Sequence, residues 1–185
     1  TGSGKTTIIS LMARFYDIQK GEILIDGVNI KNYRLADLRK NIAVVLQDVF
    51  LFTGDIAYNI RLNNREMTDS DVMNAIETAC AAPFVKSFPD GINTEVKERG
   101  CTFSAGQRQL LSLARAVAFN PSVLILDEAT ASIDTETEEL IQRSMSEVSS
   151  GRTSIFIAHR LSTIRQANCI YVLDHGRIVE KGDHD

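Results

Sequence analysis

The chain has 185 residues, of which 44% are hydrophobic, and a formal net charge of −4; that is one domain by length, with enough apolar material for a proper core. No block of Lys and Arg reaches the length of a nucleic-acid or nuclear-targeting tract, so the charge gives no reason to expect DNA or RNA as a partner. The longest apolar stretches, such as 42–46 and 155–158, are strand-sized and far below the roughly 18 residues of a membrane span.

Cys80, Cys101 and Cys169 are odd in number, widely spaced and without a CxxC, the pattern of reduced cytosolic thiols rather than of disulfides or zinc ligands. The chain opens on TGSGKTT with no starting Met and stops at GDHD, so the expectation is a domain truncated at both ends. In chain order, residues 5–16 carry Ile8, Leu11, Met12 and Phe15 at i, i+3, i+4 and i+7, which predicts a helix packed on a core with Gly4 at its amino end. GEILIDG, 21–27, is predicted as a short strand between turn glycines, and 42–46 as a continuous apolar strand running into Gln47. The span 53–120 turns helical, an inserted helical subdomain in which Val72, Ala75, Ile76 and Ala79 share one face after an Asp69/Ser70 cap. Strand patterns return at 123–126, 153–158 and 170–173, the last leading through 174–176 into a hairpin with 177–181. Residues 135–148 form the expected crossover helix, capped by Asp134. The alternation implies an α/β fold, a sheet flanked by helices and interrupted by the helical insertion.

Gly2, Ser3, Gly4, Lys5 and Thr6 fit the end of G-x-x-x-x-G-K-[ST], whose first glycine would lie upstream of Thr1. Backbone N–H groups at such a loop can converge on phosphate oxygens, with Lys5 supplying charge, Thr6 a Mg²⁺ ligand and the helix dipole the rest; a glycine-rich helix start without a ligand is the plainer reading. Asp127 and Glu128 follow an apolar strand, where adjacent carboxylates are costly unless they serve a cation or a proton transfer. Asp127 suits Mg²⁺ through water, and Glu128 suits a general base on an attacking water. His159 follows the next strand at the same edge and can reach a terminal phosphate there. Ser104 and Gln107 have the spacing of a capping box, and a helix start of this kind also favours an anion.

Together these segments resemble the nucleotide-binding domain of the ATP-binding cassette (ABC) transporters, over nearly the whole length. By that resemblance TGSGKTT, through Thr7, is the Walker A remnant, Gln47 in VVLQD the Q-loop glutamine, and FSAGQ with Ser104, Ala105, Gly106 and Gln107 the family signature. VLILDE is Walker B, 131–134 the D-loop and His159 the switch histidine. The resemblance implies a P-loop NTPase sheet binding ATP and Mg²⁺, with Lys5 and its neighbours on the phosphates and Thr6, Gln47 and Asp127 toward the metal. Glu128, His159 and Gln47 are then the catalytic group. It further implies that two such domains stack head to tail, so that Ser104 and Gly106 act on ATP held by the partner.

The segments around Gln47 and TEVKERG resemble the exporter branch, in which they contact a transmembrane domain. The implied setting is thus the cytoplasmic face of a membrane, beside a transmembrane domain outside this chain and a second nucleotide-binding domain, identical or different. Three positions depart from the family pattern: Phe103 stands for the usual leucine, Ala105 for the first signature glycine and Lys97 for the glycine before ERG. Ala105 adds a methyl where backbone approaches phosphate. Two other readings stand beside transport, a soluble cassette ATPase and a non-hydrolysing regulatory subunit. A strand upstream of Thr1 is expected to lie beside 123–126.

Overall fold

The computed structural model describes residues 3–127, 135–157, 164–165 and 167–184. Helix α1 (Lys5–Met12) leads to a short hairpin of β1 (Leu24–Ile25) and β2 (Val28–Asn29), then to helix α2 (Leu35–Lys40) and strand β3 (Ile42–Val45). Next come β4 (Gly54–Asp55), α3 (Ile56–Arg61), α4 (Asp69–Thr78), α5 (Ala82–Ser87), β5 (Glu95–Val96) and α6 (Ala105–Ala118), with β4 and β5 paired antiparallel. The chain continues through β6 (Val123–Asp127), helix α7 (Thr135–Ser149) and β7 (Thr153–Ile157) to an antiparallel hairpin, β8 (Ile170–Asp174) with β9 (Arg177–Gly182).

Strand β6 lies between β3 and β7 and is parallel to both; Val45 stands opposite Leu126, and Leu126 opposite Phe156. Because side chains alternate along a strand, the sheet feeds two cores. Ile42, Val123, Ile125 and Ile157 pack with Ile9 of α1, Ile30 and Leu38, whereas Val45, Leu124 and Leu126 pack with α3, α4, α6 and α7. Both faces are covered, which is why these strands read as unbroken apolar runs. Helix α7 makes the crossover between the parallel neighbours β6 and β7.

Three expectations are corrected. The buried edge of α1 is Ile9, Met12 and Ala13, while Ile8 and Phe15 are 41% and 58% exposed. The helix stops at Met12 because Arg14 turns left-handed at φ 51°, and Arg39 donates to the freed carbonyls of Ala13 and Arg14. Helix α4 is capped by Thr68, not by Asp69 or Ser70: Thr68 Oγ1 accepts from the Asp71 amide at 3.2 Å and Asp71 Oδ2 from the Thr68 amide at 2.8 Å, two donors satisfied reciprocally. Strand β6 has both edges filled, so an upstream strand cannot pair with 123–126; the free edges of the described sheet belong to β3 and β7. The hairpin expected from 170–173 into 177–181 is present, β8 pairing antiparallel with β9.

Candidate functional site

Gly4 is the N-cap of α1 at φ 97°, a left-handed backbone that suits glycine. No side chain caps this helix and its first turn holds no acid, so its amides and the positive end of its dipole are left for an anion. Lys5 folds back over the loop, its Nζ donating to Ser3 Oγ at 2.9 Å, so the ammonium stays at the loop it would serve. Thr6 and Thr7 are exposed on the first turn. The loop is held from below by the Gly176 amide, which donates to the Ser3 carbonyl at 3.1 Å. Gly2 lies outside the described residues.

Asp127 ends β6 opposite Ile157 and shares the parity of Val123 and Ile125, the residues that pack toward α1. It is half-buried and has no hydrogen bond or salt bridge to any described residue. An unpaired carboxylate at the carboxyl edge of a parallel sheet is placed for a cation or a polar ligand. Gln47 leaves the same edge two residues past Val45, on the neighbouring strand about 4.8 Å away, and is exposed. Glu128, His159, Asp134 and the 131–134 segment lie outside the described residues.

On α6, Ser104 Oγ accepts from the Gln107 amide at 3.1 Å, and Gln107 Oε1 accepts from the Ser104 amide at 2.9 Å. The capping box is therefore formed, and the amides of Ala105 and Gly106 are the ones left to meet an anion. Ser104 and Ala105 are exposed while Gly106 is buried; the Ala105 methyl sits on the outward side. Phe103 is 4% exposed and meets the Phe88 ring edge-on at 5.7 Å, which in turn meets Phe84 at 6.2 Å. An aromatic side chain thus fits this position through its aromatic neighbours. Lys97 is extended at φ −75°, ψ 173° and exposed, so its backbone makes no demand for glycine.

Sequence reasoning missed a polar clasp behind Gln47. Asn59, 1% exposed on α3, uses its whole amide: Oδ1 accepts from the Phe52 amide at 2.8 Å, and Nδ2 donates to the carbonyls of Phe52 and Asp55. Arg115 on α6 donates to the Asn59 carbonyl at 2.7 Å, to Asn59 Oδ1 at 2.9 Å and to the Phe50 carbonyl at 3.0 Å. Its guanidinium lies 5.8 Å from the Phe52 ring centre, and burial pulls its pKa below the usual arginine value. The sequence signal was one polar residue inside each of two apolar helical runs, Asn59 in IAYNI and Arg115 in LARAVAF.

The family model described as ABC transporter matches residues 1–131. The chain therefore belongs to the ABC transporter family, and over its whole length it is similar to the ATP-binding part of exporter-type members. Over all 185 residues it is 54% identical to the probable multidrug resistance ABC transporter ATP-binding/permease protein YheH of Bacillus subtilis (strain 168), covering 28% of that protein. It is 50% identical to the ATP-dependent lipid A-core flippase of Haemophilus influenzae (strain 86-028NP), covering 32% of it. A bacterial Atm1-family ABC exporter solved with ATP bound superposes at a TM-score of 0.90 with 44% identity, over 100% of this chain and 32% of that one. The chain thus spans a third or less of the length of these relatives.

Proposed function

We propose that this domain binds and hydrolyses ATP between two nucleotide-binding domains, and that the cycle drives export through a transmembrane domain at the cytoplasmic face of a membrane. One observation carries the reading: an uncapped helix start behind left-handed Gly4, with Lys5 at its mouth, packs on the sheet face from which Asp127 emerges, without a hydrogen bond or ion pair to any described residue. Ser3, Gly4, Lys5, Thr6 and Thr7 hold the phosphates. Oxygen donors from Asp127, Thr6 and Gln47 suit Mg²⁺, which supplies charge neutralisation on the phosphates when bound. Glu128 takes the proton of the attacking water, Gln47 orients that water and His159 contacts the terminal phosphate. Ser104, Ala105, Gly106 and Gln107 close on ATP held by the second domain. The span 53–120 is taken as the helical subdomain that faces the membrane part.

The test is nucleotide binding and steady-state hydrolysis by the complete polypeptide carrying this domain. Lys5→Ala is expected to weaken ATP affinity at least tenfold, and equal binding in equilibrium dialysis removes its phosphate role. Binding without hydrolysis in the wild type favours a regulatory subunit. A polypeptide lacking membrane spans beyond this domain favours a soluble cassette ATPase.

A further inference from the structure

The segment that carries Gln47 is fixed at two places. Upstream, β3 holds it in register against β6 through Val45 and Leu126. Beyond Val45 the chain runs out through exposed Leu46, Gln47, Asp48 and Phe50. It is caught again by buried Leu51 and by the Asn59 and Arg115 bonds to Phe50 and Phe52. Asn59 alone cannot hold the position of Phe50, because its amide is spent on Phe52, Asp55 and Arg115. The bond at Phe50, three residues past Gln47, comes from Arg115.

This arginine is half-buried with its donors aimed at carbonyls, and no described carboxylate pairs with it. Retaining a desolvated cation without a counter-ion has a price that apolar packing would avoid. What a planar fork supplies and an apolar side chain lacks is direction: several N–H donors aimed at fixed carbonyls. It caps a carbonyl of the last turn of α3, where a cation is favoured by the dipole. Arg115 lies ten residues into α6 from Ala105, about 15 Å along the axis at 1.5 Å per residue, so it cannot itself touch a phosphate bound at Ser104.

We propose that Arg115 is a positioning residue: through the Phe50 carbonyl and Asn59 it clasps the segment after Gln47 onto α6, and so sets where the Gln47 amide stands relative to Asp127. The clasp joins the metal-facing loop and the signature helix into one body, so that they move together. This rests on the ATP-binding reading above.

The test uses the complete polypeptide, loaded with a non-hydrolysable ATP analogue and with Mn²⁺ in place of Mg²⁺. In Arg115→Met the Phe52 amide is expected to exchange hydrogen at least tenfold faster while the amides of α1 stay within twofold. Mn²⁺ affinity read by paramagnetic resonance is expected to fall at least fivefold, with metal-free nucleotide affinity within twofold. In a Gln47→Ala background the same change adds no further loss, because Gln47 is the group the clasp positions. Arg115→Lys keeps the cation without the fork and is expected to follow Arg115→Met within threefold; it carries the test where the methionine variant does not fold. Unchanged Mn²⁺ affinity, an equal loss in the Gln47→Ala background, or full restoration by lysine overturns the proposal. A wild type that binds nucleotide and metal yet never hydrolyses ATP fails the functional reading, while the Mn²⁺ shift still reports on the clasp.

Discussion

Gly100 sits four residues before Ser104, in a tight turn where Arg99 and Gly100 are both left-handed, at φ 54° and 65°. Its amide donates to the Lys97 carbonyl at 2.8 Å and its carbonyl accepts from Phe103 at 3.0 Å, so the turn delivers the chain to the cap of α6. A Cβ at this position would stand 2.7 Å from Leu51 Cδ1 and 3.3 Å from both Leu51 Cβ and Arg108 Cδ. Leu51 is fully buried and has little room to retreat. A left-handed non-glycine residue costs about 1–2 kcal/mol and overpacking a core about 1–3 kcal/mol. Gly100→Ala is therefore expected to destabilise by about 2–5 kcal/mol, a fall in melting temperature of roughly 4–20 °C for a domain of this size. The assay is a thermal melt of purified protein followed by circular dichroism, with Gly91→Ala as comparison, since Gly91 is also left-handed but a Cβ there would meet nothing within 4 Å. If the two variants melt together, contact with Leu51 contributes nothing and the steric reasoning is wrong.

Glu128→Gln in the complete polypeptide is expected to keep ATP binding and lose turnover by about 10²–10⁴-fold, the usual worth of a general base; wild-type steady-state hydrolysis would sink that assignment. Ser144 is fully buried on α7 and its hydroxyl has no partner among the described residues, so Ser144→Ala is expected to stabilise by about 1 kcal/mol, and a lower melting temperature contradicts it. All three cysteines are free, Cys101 and Cys169 are exposed, and burial pushes the Cys80 thiol above its ordinary pKa; at neutral pH iodoacetamide is expected to label Cys101 and Cys169 first, as peptide mass mapping will show. Because exposed Ala105 would burden only ATP held by the partner, a different half-transporter is expected to co-purify with a tag on this subunit; a single polypeptide species with two equally active sites excludes that pairing.

The sheet was legible in the sequence because a strand buried on both faces must be apolar throughout, as in 42–45 and 123–126, and two such runs with a crossover helix between parallel neighbours leave few topologies. The signature box was legible because Ser104 and Gln107 interact within one turn. The α1 stripe was misread because Ile8 and Phe15 match the helical period as well as Ile9 and Ala13 do; which set faces inward depends on the entry angle from Gly4, a tertiary matter. Phe15 also escapes burial by lying beneath Arg39, whose guanidinium is 5.1 Å from its ring centre. The Arg115 clasp was only half legible for a related reason: Asn59 and Arg115 stand out as polar residues in apolar helical runs, but the carbonyls of Phe50 and Asn59 that complete it leave no mark on residue identity.

The division of apolar residues between the two sheet faces is unequal among the described residues: the cluster around Ile9 and Ile30 is far smaller than the one built by α3, α4, α6 and α7. Regions with few buried apolar neighbours open at lower free energy than the rest of a domain, as separate cooperative units. The layer of α1 is thus the natural site of sub-global opening, and amides of Ile9 and Ile30 are expected to exchange well before those of Leu111 and Leu124. A ligand seated on the first turn of α1 adds its binding free energy to that weakest unit. Nucleotide occupancy would then be felt first as rigidity, and its loss as breathing of a single face.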